Sequence, residues 1–466
     1  MRKTNHVSLT TRVSWGLGGW ADNFIFQVLI ILALPIYNLE LGIDPLWVGF
    51  ALLVPRLFDA LTDPLMGNIS DNTRSRLGRR RPWIAVGASM SALLLPLLWM
   101  PPFNGDVAII LYFAVISTIY ALTYTMFVVP YTALGFELTE DYDERTRVMS
   151  WRMYVGLVAG LCIPNLYAWC QSDLFGGDIL NGARWVTFFV AITVLITGCL
   201  PALFCRENAN NQRQKKIKLG KAILETAKDG PFRLLLSGYV IVITGLLTSA
   251  ALALYVNIYH VFDGDKKLAA EVSALGGMLG VIGAYLGVRL TTIISAKTSK
   301  RHTMVGGLAI ALLSVFSMSF TMQPGFEIVE ILSFKFHLQA ISFFFYGMGQ
   351  QSCWLLIDSM TADICDEDEL RTGLRREGMF GAVKSLALKA GVAVTGLTGG
   401  LVIKLAGASD ASQGLDPEVA QTLKTLFITI QSLGLLAGML VFIFYPITRA
   451  KSEETRQILN ERNQHA

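Results

Sequence analysis

Residues Trp47 to Met66 (WVGFALLVPRLFDALTDPLM) decide how this chain folds. The stretch is long and apolar enough to cross a membrane as one helix, yet it holds Asp59 and Asp63. A charged side chain at bilayer depth costs at least ~2.5 kcal/mol, so such residues usually face a polar cavity and handle ions, protons or substrates. A spacing of four residues puts both carboxylates on one helix face, where they can jointly ligate a small cation. The pair therefore predicts a cation-coupled transporter.

The composition supports a membrane protein. The chain has 466 residues, of which 53% are hydrophobic and 16% are charged, and its net charge is +4. A soluble protein usually carries about 25% charged residues. The basic residues cluster in short loops beside apolar runs, which is typical of membrane topology, so we expect no nucleic-acid partner. The six cysteines lack the paired spacing of metal ligands and are interpreted as small buried hydrophobes.

Windows of about 20 residues indicate membrane-spanning helices. The loops after the first, third and fifth helices contain no Arg or Lys, whereas the loop after the second helix holds five Arg and the central loop and the tail hold both Arg and Lys. The positive-inside rule then places both termini in the cytoplasm of a multi-pass protein of the plasma membrane or bacterial inner membrane. The twelve predicted spans are 13–38, 45–68, 83–101, 107–135, 148–170, 184–204, 232–260, 270–293, 303–322, 336–361, 378–404 and 421–445.

Two pairs of loops indicate an internal repeat. Gly67 to Arg81 (GNISDNTRSRLGRRR) is echoed by Gly287 to Arg301, and Asp143 to Thr146 (DERT) is echoed by Asp368 to Thr372 (DELRT). Such a parallel duplication predicts an all-α fold of two pseudo-symmetric six-helix bundles with the substrate site between the halves. The predicted bundles are 1–205 and 232–446, with a cytoplasmic central loop at 206–231 and a cytoplasmic tail at 447–466.

These motifs resemble a known family. Arg56 to Pro64 (RLFDALTDP) and Thr73 to Gly78 (TRSRLG) are similar to the second helix and following loop of the glycoside–pentoside–hexuronide:cation symporters, a branch of the major facilitator superfamily. The resemblance implies the twelve-helix major facilitator fold and symport with Na⁺, H⁺ or Li⁺ by alternating access. Further matches, in family order and spacing, are Gly16, Gly18, Tyr124, Thr125, Pro130, Arg152, Trp354, Ala362, Asp363, Asp366, Arg375, Glu377, Lys389 and Gly391.

For the cation, the resemblance implies ligation by Asp59 and Asp63 with help from the Thr125 hydroxyl. Oxygen atoms of this kind are the hard ligands that a small hard cation prefers. The site would hold Na⁺ if the protein is sodium-coupled, but the sequence does not choose between Na⁺ and H⁺. In a second interpretation, the aspartates pair with Arg56 or Lys389 and form a charge-neutralising cluster. Cation binding and charge neutralisation can coexist, because a lysine could neutralise the site when the cation leaves. No other cofactor is expected.

The substrate residues depart from the pattern of melibiose permease, the type member of the family. Asn23 and Val128 stand where that protein has the two acids that hold a galactoside, and Thr132 replaces its stacking tryptophan. Galactoside binding is therefore not expected. Asp22 could replace the first acid, although neighbouring residues point about 100° apart on a helix. The expected substrate-binding residues are Asp22, Asn23, Arg152, Trp354, Lys384 and Ser385.

The charges of these residues bear on the class of substrate. Arg152 with Lys384 would suit a carboxylate, sulfonate or phosphate group, and a hexuronide is one candidate. Lys384 could instead pair with Asp358, an intramembrane carboxylate that the family pattern does not require. Asp358 then has three interpretations: a second titratable site, a substrate ligand, or only the partner of Lys384.

Charged loop residues are interpreted as a cytoplasmic gate. In the superfamily that the chain resembles, basic residues of this loop bridge helix ends and hold the inner side closed. The alternative is that the arginines only orient the chain, which leaves the interleaved acids unexplained. The candidate gating residues are Asp71, Arg74, Arg79, Asp143, Arg145, Asp366, Arg375 and Glu377.

Together these observations predict a symporter that imports a sugar or glycoside-like solute, with a hexuronide as a candidate anionic substrate. The expected partners are the small-molecule substrate, a monovalent cation and the lipid bilayer, and the expected state is a monomer. An enzyme is not predicted, because the sequence has no His/Cys cluster and no strong catalytic motif. A lysolipid symporter of the same fold and a non-transporting membrane sensor are the alternatives.

Overall fold

The computed structural model describes residues 7–139, 142–207, 228–331, 334–373, 377–409 and 411–464. These residues are mostly helical, with one small antiparallel hairpin formed by β1 and β2. The elements are α1 (Leu9–Leu34), α2 (Pro45–Asn72), α3 (Arg81–Leu97), α4 (Asp106–Glu137), α5 (Tyr142–Cys162), α6 (Leu166–Cys170), α7 (Ile179–Phe204), α8 (Gly230–Val256), α9 (Lys266–Lys297), α10 (Lys300–Thr321), β1 (Val329–Ile331), β2 (Phe334–Phe336), α11 (Gln339–Thr372), α12 (Glu377–Leu405), α13 (Pro417–Ile443) and α14 (Arg449–Gln464).

The chain forms two compact units. Unit 1 contains α1 to α7 together with the segment from Gly396 to Asp416, and unit 2 contains α8 to α11, the first part of α12, α13 and α14. The last turns of α12 therefore belong with unit 1, where they pack closely on the start of α2. A Cβ atom on Gly400 would lie 2.1 Å from the carbonyl oxygen of Pro45, and Lys404 Nζ lies 2.5 Å from Asp44 Oδ2.

The helices have the length that a membrane requires. Among the described residues, ten helical segments are long and apolar enough to cross a bilayer. α3 is apolar but has 17 residues, and α11 has 34 residues but is less apolar than the other spans. Each predicted span overlaps at least one helix of the structure, and the all-α architecture is confirmed.

Polar caps and prolines fix where several helices begin. The side chains of Asp44, Asp229 and Asp265 accept backbone N–H groups at the starts of α2, α8 and α9, which satisfies donors that have no partner inside the helix. The predicted span 148–170 is interrupted by a short 3₁₀ turn at Ile163–Asn165 before α6. Pro164 lacks the N–H that an unbroken α helix would need there.

Two further elements were absent from the sequence analysis. The predicted tail at 447–466 contains α14, which is held on the end of α11 by an ion pair between Lys451 and Glu367 and by a hydrogen bond from Ser452 to Asp363 Oδ1 (3.0 Å). The hairpin of β1 and β2 lies in the connection before α11. Neither element has the apolar run of about 20 residues by which membrane helices are recognised.

Candidate functional site

The carboxylates of Asp59 and Asp63 lie together on one face of α2, as their spacing predicted. Asp59 is buried, with a residue exposure of 3%, and Asp63 is half-buried. The hydroxyl of Thr125 on α4 lies between them, 3.4 Å from Asp59 Oδ1 and 3.1 Å from Asp63 Oδ1. Three oxygen-bearing side chains from two helices thus converge in unit 1.

Arg56 completes this cluster from one turn earlier on α2. Its Nη1 atom lies 3.3 Å from Asp59 Oδ2, and its guanidinium lies over the ring of Phe26, 4.7 Å from the centroid. The interpretation that the aspartates join a charge-neutralising cluster therefore holds for Arg56 and Asp59. The Asp59 carboxylate is thus paired with a guanidinium, and the Asp63 carboxylate and the Thr125 hydroxyl bring further oxygens to the same cluster.

A second buried ion pair joins α1 and α5. Arg152 Nη2 lies 2.7 Å from Asp22 Oδ2, and the hydroxyl of Tyr124 donates to Asp22 Oδ1 at 2.9 Å. The guanidinium of Arg152 also lies over the Tyr131 ring, 5.6 Å from its centroid. Asp22, and not Asn23, is therefore the residue that contacts Arg152. The amide of Asn23 instead donates to the carbonyl oxygen of Gly19 at 2.8 Å.

A comparable pair occurs in unit 2. Lys384 on α12 forms an ion pair with Asp358 on α11, whose side chain is 68% exposed. One turn before Asp358, the half-buried Trp354 makes an edge-to-face contact with Tyr239 at 6.0 Å between centroids. Ser385 is exposed, and Lys389 is half-buried on α12.

These pairings change the charge argument for the substrate. The sequence analysis treated Arg152 and Lys384 as cations available to an anionic group. Each of them instead has a carboxylate partner within its own unit. An anionic substrate would have to displace or share these carboxylates, so positive charge alone no longer favours it.

Two candidate gating residues of unit 1, Asp71 and Arg79, take part in a charge network at the start of α3. Arg80 Nη2 lies 2.9 Å from Asp71 Oδ1, and Arg79 forms an ion pair with Glu137 at the end of α4. The carboxylate of Glu207 accepts the backbone N–H groups of Arg79, Arg80 and Arg81 at 2.8 to 3.2 Å. It thus satisfies donors at the N-terminus of α3.

Electrostatics within this network keep Arg79 charged. Burial acts to lower the pKa of the Arg79 guanidinium, but Glu137, Asp71 and Glu207 outweigh it and raise that pKa above its ordinary value. Within the same network, Asp71 is paired with Arg80, which was not among the candidate gating residues. Arg74 is exposed.

The remaining gating candidates are only partly described. Asp366 is half-buried near the end of α11. Arg375 and the side chains of Asp143, Arg145 and Glu377 lie outside the described residues. Next to Asp366, Asp363 forms an ion pair with Lys300 at 2.6 Å, which resembles the acid–base pairing at the same end of unit 1.

Sequence reasoning missed several residues of these clusters. Tyr124 entered only as a family match, and Tyr131, Glu137 and Glu207 were not considered. Tyr124 and Tyr131 lie in the same helix as Thr125 and are seven residues apart, so helix periodicity could have placed both tyrosines on one face of α4. Glu137 and Glu207 lie at helix ends far from Arg79 in the sequence, and no local pattern connects them.

Comparisons with known proteins identify the family. The sequence profile of the family described as MFS/sugar transport protein matches residues 14–449. The chain is 26% identical over 463 residues to the putative glycoside/cation symporter YagG of Escherichia coli (strain K12), covering 98% of this chain and 96% of that protein. It is 24% identical over 459 residues to the glucuronide carrier protein homolog of the same organism, covering 96% and 94% of the two chains.

A solved structure supports the same fold. The nucleoside transporter NupG superposes with a TM-score of 0.67 at 11% identity, covering 93% of this chain and 99% of that one. The all-α major facilitator architecture and the membrane-spanning helices agree with the family match, as the resemblance in the sequence predicted. The chain is therefore a multi-pass membrane transporter, not an enzyme, and belongs to the MFS/sugar transport protein family.

Proposed function

We propose that this protein is a cation-coupled symporter that imports a sugar or glycoside-like solute by alternating access. The observation that carries the proposal is the convergence of Asp59, Asp63 and Thr125 in unit 1. Relatives named as a glycoside/cation symporter and a glucuronide carrier support both the coupling and the class of substrate.

The coupling has a simple electrostatic form. Two neighbouring carboxylates in a poorly solvated site repel each other, and Arg56 reduces this repulsion through its contact with Asp59. A bound monovalent cation lowers the repulsion between the carboxylates and draws α2 and α4 together through oxygens on both helices. Because binding free energies are linked, a cation that raises substrate affinity must have its own affinity raised by the same factor.

Na⁺ is the cation that this donor set supports best. A proton needs only one carboxylate, whereas Na⁺ uses several oxygens, and the site offers two carboxylates and a hydroxyl. Arg56, Asp358 and Lys389 are proposed to adjust the charge balance as ligands enter and leave. The pairs around Asp71, Arg79 and Asp366 are proposed to act as the cytoplasmic gate, together with Arg74 and the candidates outside the described residues.

For the substrate, we propose contacts to Asp22, Asn23, Arg152, Trp354, Lys384 and Ser385. An aromatic ring and a carboxylate one turn apart, as in Trp354 and Asp358, offer an apolar face and hydrogen-bond acceptors to a sugar. The internal pairing of Arg152 and Lys384 favours an uncharged glycoside over a hexuronide. The hexuronide remains the alternative to be tested.

The deciding experiment is uptake into proteoliposomes under separately imposed gradients of Na⁺, Li⁺ and H⁺. Methyl β-glucoside and methyl β-glucuronide form a matched pair of probes that differ in one carboxylate. We expect accumulation of the uncharged probe under a Na⁺ gradient, and its loss in Asp59→Asn and Asp63→Asn. Asp106→Asn, at an exposed position at the start of α4, is the matched control.

The possible outcomes separate the alternatives. Preferred uptake of the glucuronide would favour the anionic substrate, and substrate binding without accumulation would favour a sensor. Wild-type accumulation ratios in both aspartate variants would contradict the proposed cation site.

A further inference from the structure

Unit 1 contains a large apolar cavity that the proposed transport function does not use. Its volume is about 460 Å³, within the usual range of small-molecule sites. The wall is formed mainly by aromatic and aliphatic side chains from α1, α5, α6, α7 and the segment between α6 and α7. Trp20, Phe24, Trp169, Phe175, Phe189 and Val190 form most of it.

The cavity is elongated along the helices. It reaches Leu174 and Phe175 in the connection before α7, and it extends to Thr193, which lies fourteen residues after Ile179 at the start of α7. On α7 the lining residues run from Val186 to Thr193, a rise of about 10 Å, which is about two thirds of one leaflet of a hydrocarbon core about 30 Å thick. At its deep end the indole of Trp20 donates to the Thr193 hydroxyl at 3.0 Å, so that polar group is already used.

One side of the cavity is continuous with the lipid-facing surface. Phe189 and Trp169 line it while 54% and 42% exposed, respectively. The exposed stripe of α7 beside it is apolar along the helix, as in Trp185, Ile192 and Ile196. In a membrane-spanning helix such a stripe faces hydrocarbon, so the cavity opens to lipid acyl chains.

The mouth of the cavity lies in an acidic surface. The connection from Gln171 to Ala183 contains Asp173 and Asp178, both exposed, and no Lys or Arg. Glu40 is close by, because it accepts a hydrogen bond from Tyr167 of α6 at 3.3 Å. The next basic residue, Arg184, donates to the carbonyl oxygen of Trp99 at 3.2 Å. This balance attracts an ammonium group and disfavours an anionic headgroup.

We propose that this cavity holds one acyl chain of a phospholipid whose headgroup carries an ammonium group, such as phosphatidylethanolamine. The lipid belongs to the leaflet at the end of unit 1 where α7 begins. Its chain packs against Trp20 and Phe24, which flank Asp22 on α1. Bound lipid therefore supports the helix that presents the Asp22–Arg152 pair.

Tryptophan quenching by brominated lipids tests this site directly. The purified full chain in detergent is titrated with phosphatidylethanolamine or phosphatidylglycerol carrying dibrominated acyl chains, and the loss of Trp20 and Trp169 fluorescence is measured against Trp20→Phe and Trp169→Phe. We expect the phosphatidylethanolamine midpoint to be about fivefold lower, as for about one unit charge at a membrane surface. The double variant Asp173→Asn/Asp178→Asn should remove this preference while keeping the helix caps.

Variants that fill the cavity provide a second test of the lipid site, measured by the same quenching titration. Val190→Phe should raise the midpoint at least about tenfold, because the added ring occupies the space of the chain. Leu195→Phe, an exposed position on α7 outside the cavity wall, is the matched control and should leave the midpoint unchanged. Equal quenching by both lipids, unchanged by Asp173→Asn/Asp178→Asn and by Val190→Phe, would overturn the proposal. Glu327→Gln, an exposed loop acid of unit 2, controls for general charge removal.

Discussion

The second and fourth helices pack differently in the two units of this duplicated fold. In unit 2, α9 and α11 meet backbone to backbone: a Cβ atom on Gly347 would lie 1.9 Å from the Gly280 carbonyl oxygen, and one on Gly283 would lie 1.9 Å from that of Phe344. In unit 1, α2 and α4 meet through Asp59, Asp63 and the Thr125 hydroxyl.

The difference between the two helix junctions follows from the size and polarity of the side chains at each. Small residues allow membrane helices to approach closely and give stability through packing. At the unit 1 junction, the side chains of Asp59, Asp63 and Thr125 place oxygens between the two helices. Under the proposed function, the unit 2 junction serves stability and the unit 1 junction serves cation coupling.

The largest expected effect is at the unit 1 junction. Asp63→Asn should lower cation-driven accumulation by about a hundredfold, equivalent to about 3 kcal/mol of cation binding, because the proposed site loses one of its two carboxylate ligands. Expression and thermal stability should stay close to wild type, since Asn has nearly the same shape. Uptake assays alongside melting curves test both parts, and a variant that loses its fold along with transport would contradict the distinction drawn between the junctions.

The reverse result is expected at the unit 2 junction. Gly283→Ala should destabilise the protein by about 1–3 kcal/mol, because its Cβ would overlap the Phe344 carbonyl oxygen. Gly306→Ala on α10 is the matched control, since nothing lies within 4 Å of the added atom. Thermal denaturation in detergent measures both. Equal melting temperatures for the two variants would show that α9 and α11 do not pack as described.

A smaller effect is expected from the hydroxyl that joins α2 to α4. Thr125→Ala should weaken cation binding by up to about tenfold, the value of one hydrogen-bonding group. Thr125→Ser keeps the hydroxyl and should bind the cation nearly as wild type does. Titration of Na⁺ against substrate-binding affinity distinguishes them, and indistinguishable Ala and Ser variants would remove Thr125 from the cation site.

The smallest expected effect concerns the starts of the next helices, α3 in unit 1 and α10 in unit 2, which are capped in different ways. The start of α3 in unit 1 depends on the Glu207 carboxylate, whereas α10 in unit 2 begins with the Ser299 side chain as its cap. Glu207→Ala should therefore cost about 1 kcal/mol, the value of a helix cap. Hydrogen exchange at the start of α3 is the readout. Unchanged protection of Arg80 and Arg81 would contradict this role.

The sequence predicted the features that have a local pattern. Apolar runs located the helices, and the spacing of Asp59 and Asp63 placed both on one face of α2. The family resemblance implied that Thr125 lies beside these aspartates, and the structure places its hydroxyl within 3.4 Å of both carboxylates.

Partners distant in sequence could not be chosen in the same way. The sequence left Lys384 open between a substrate and Asp358, and it offered no reason to pair Arg152 with Asp22. Helix periodicity fixes which face a residue occupies but not which neighbouring helix meets that face. The close packing of Gly400 on Pro45 was equally invisible, because it joins segments far apart along the chain.

Calorimetry is the most direct test of whether the oxygens of Asp59, Asp63 and Thr125 bind the coupling cation. Sugar affinity is titrated with and without the cation that drives uptake, and cation affinity with and without sugar, in the wild type and in Asp63→Asn. We predict that each ligand raises the affinity of the other by the same factor, at least about fivefold, and that the variant loses this coupling. Coupling of equal size in Asp63→Asn would contradict the account.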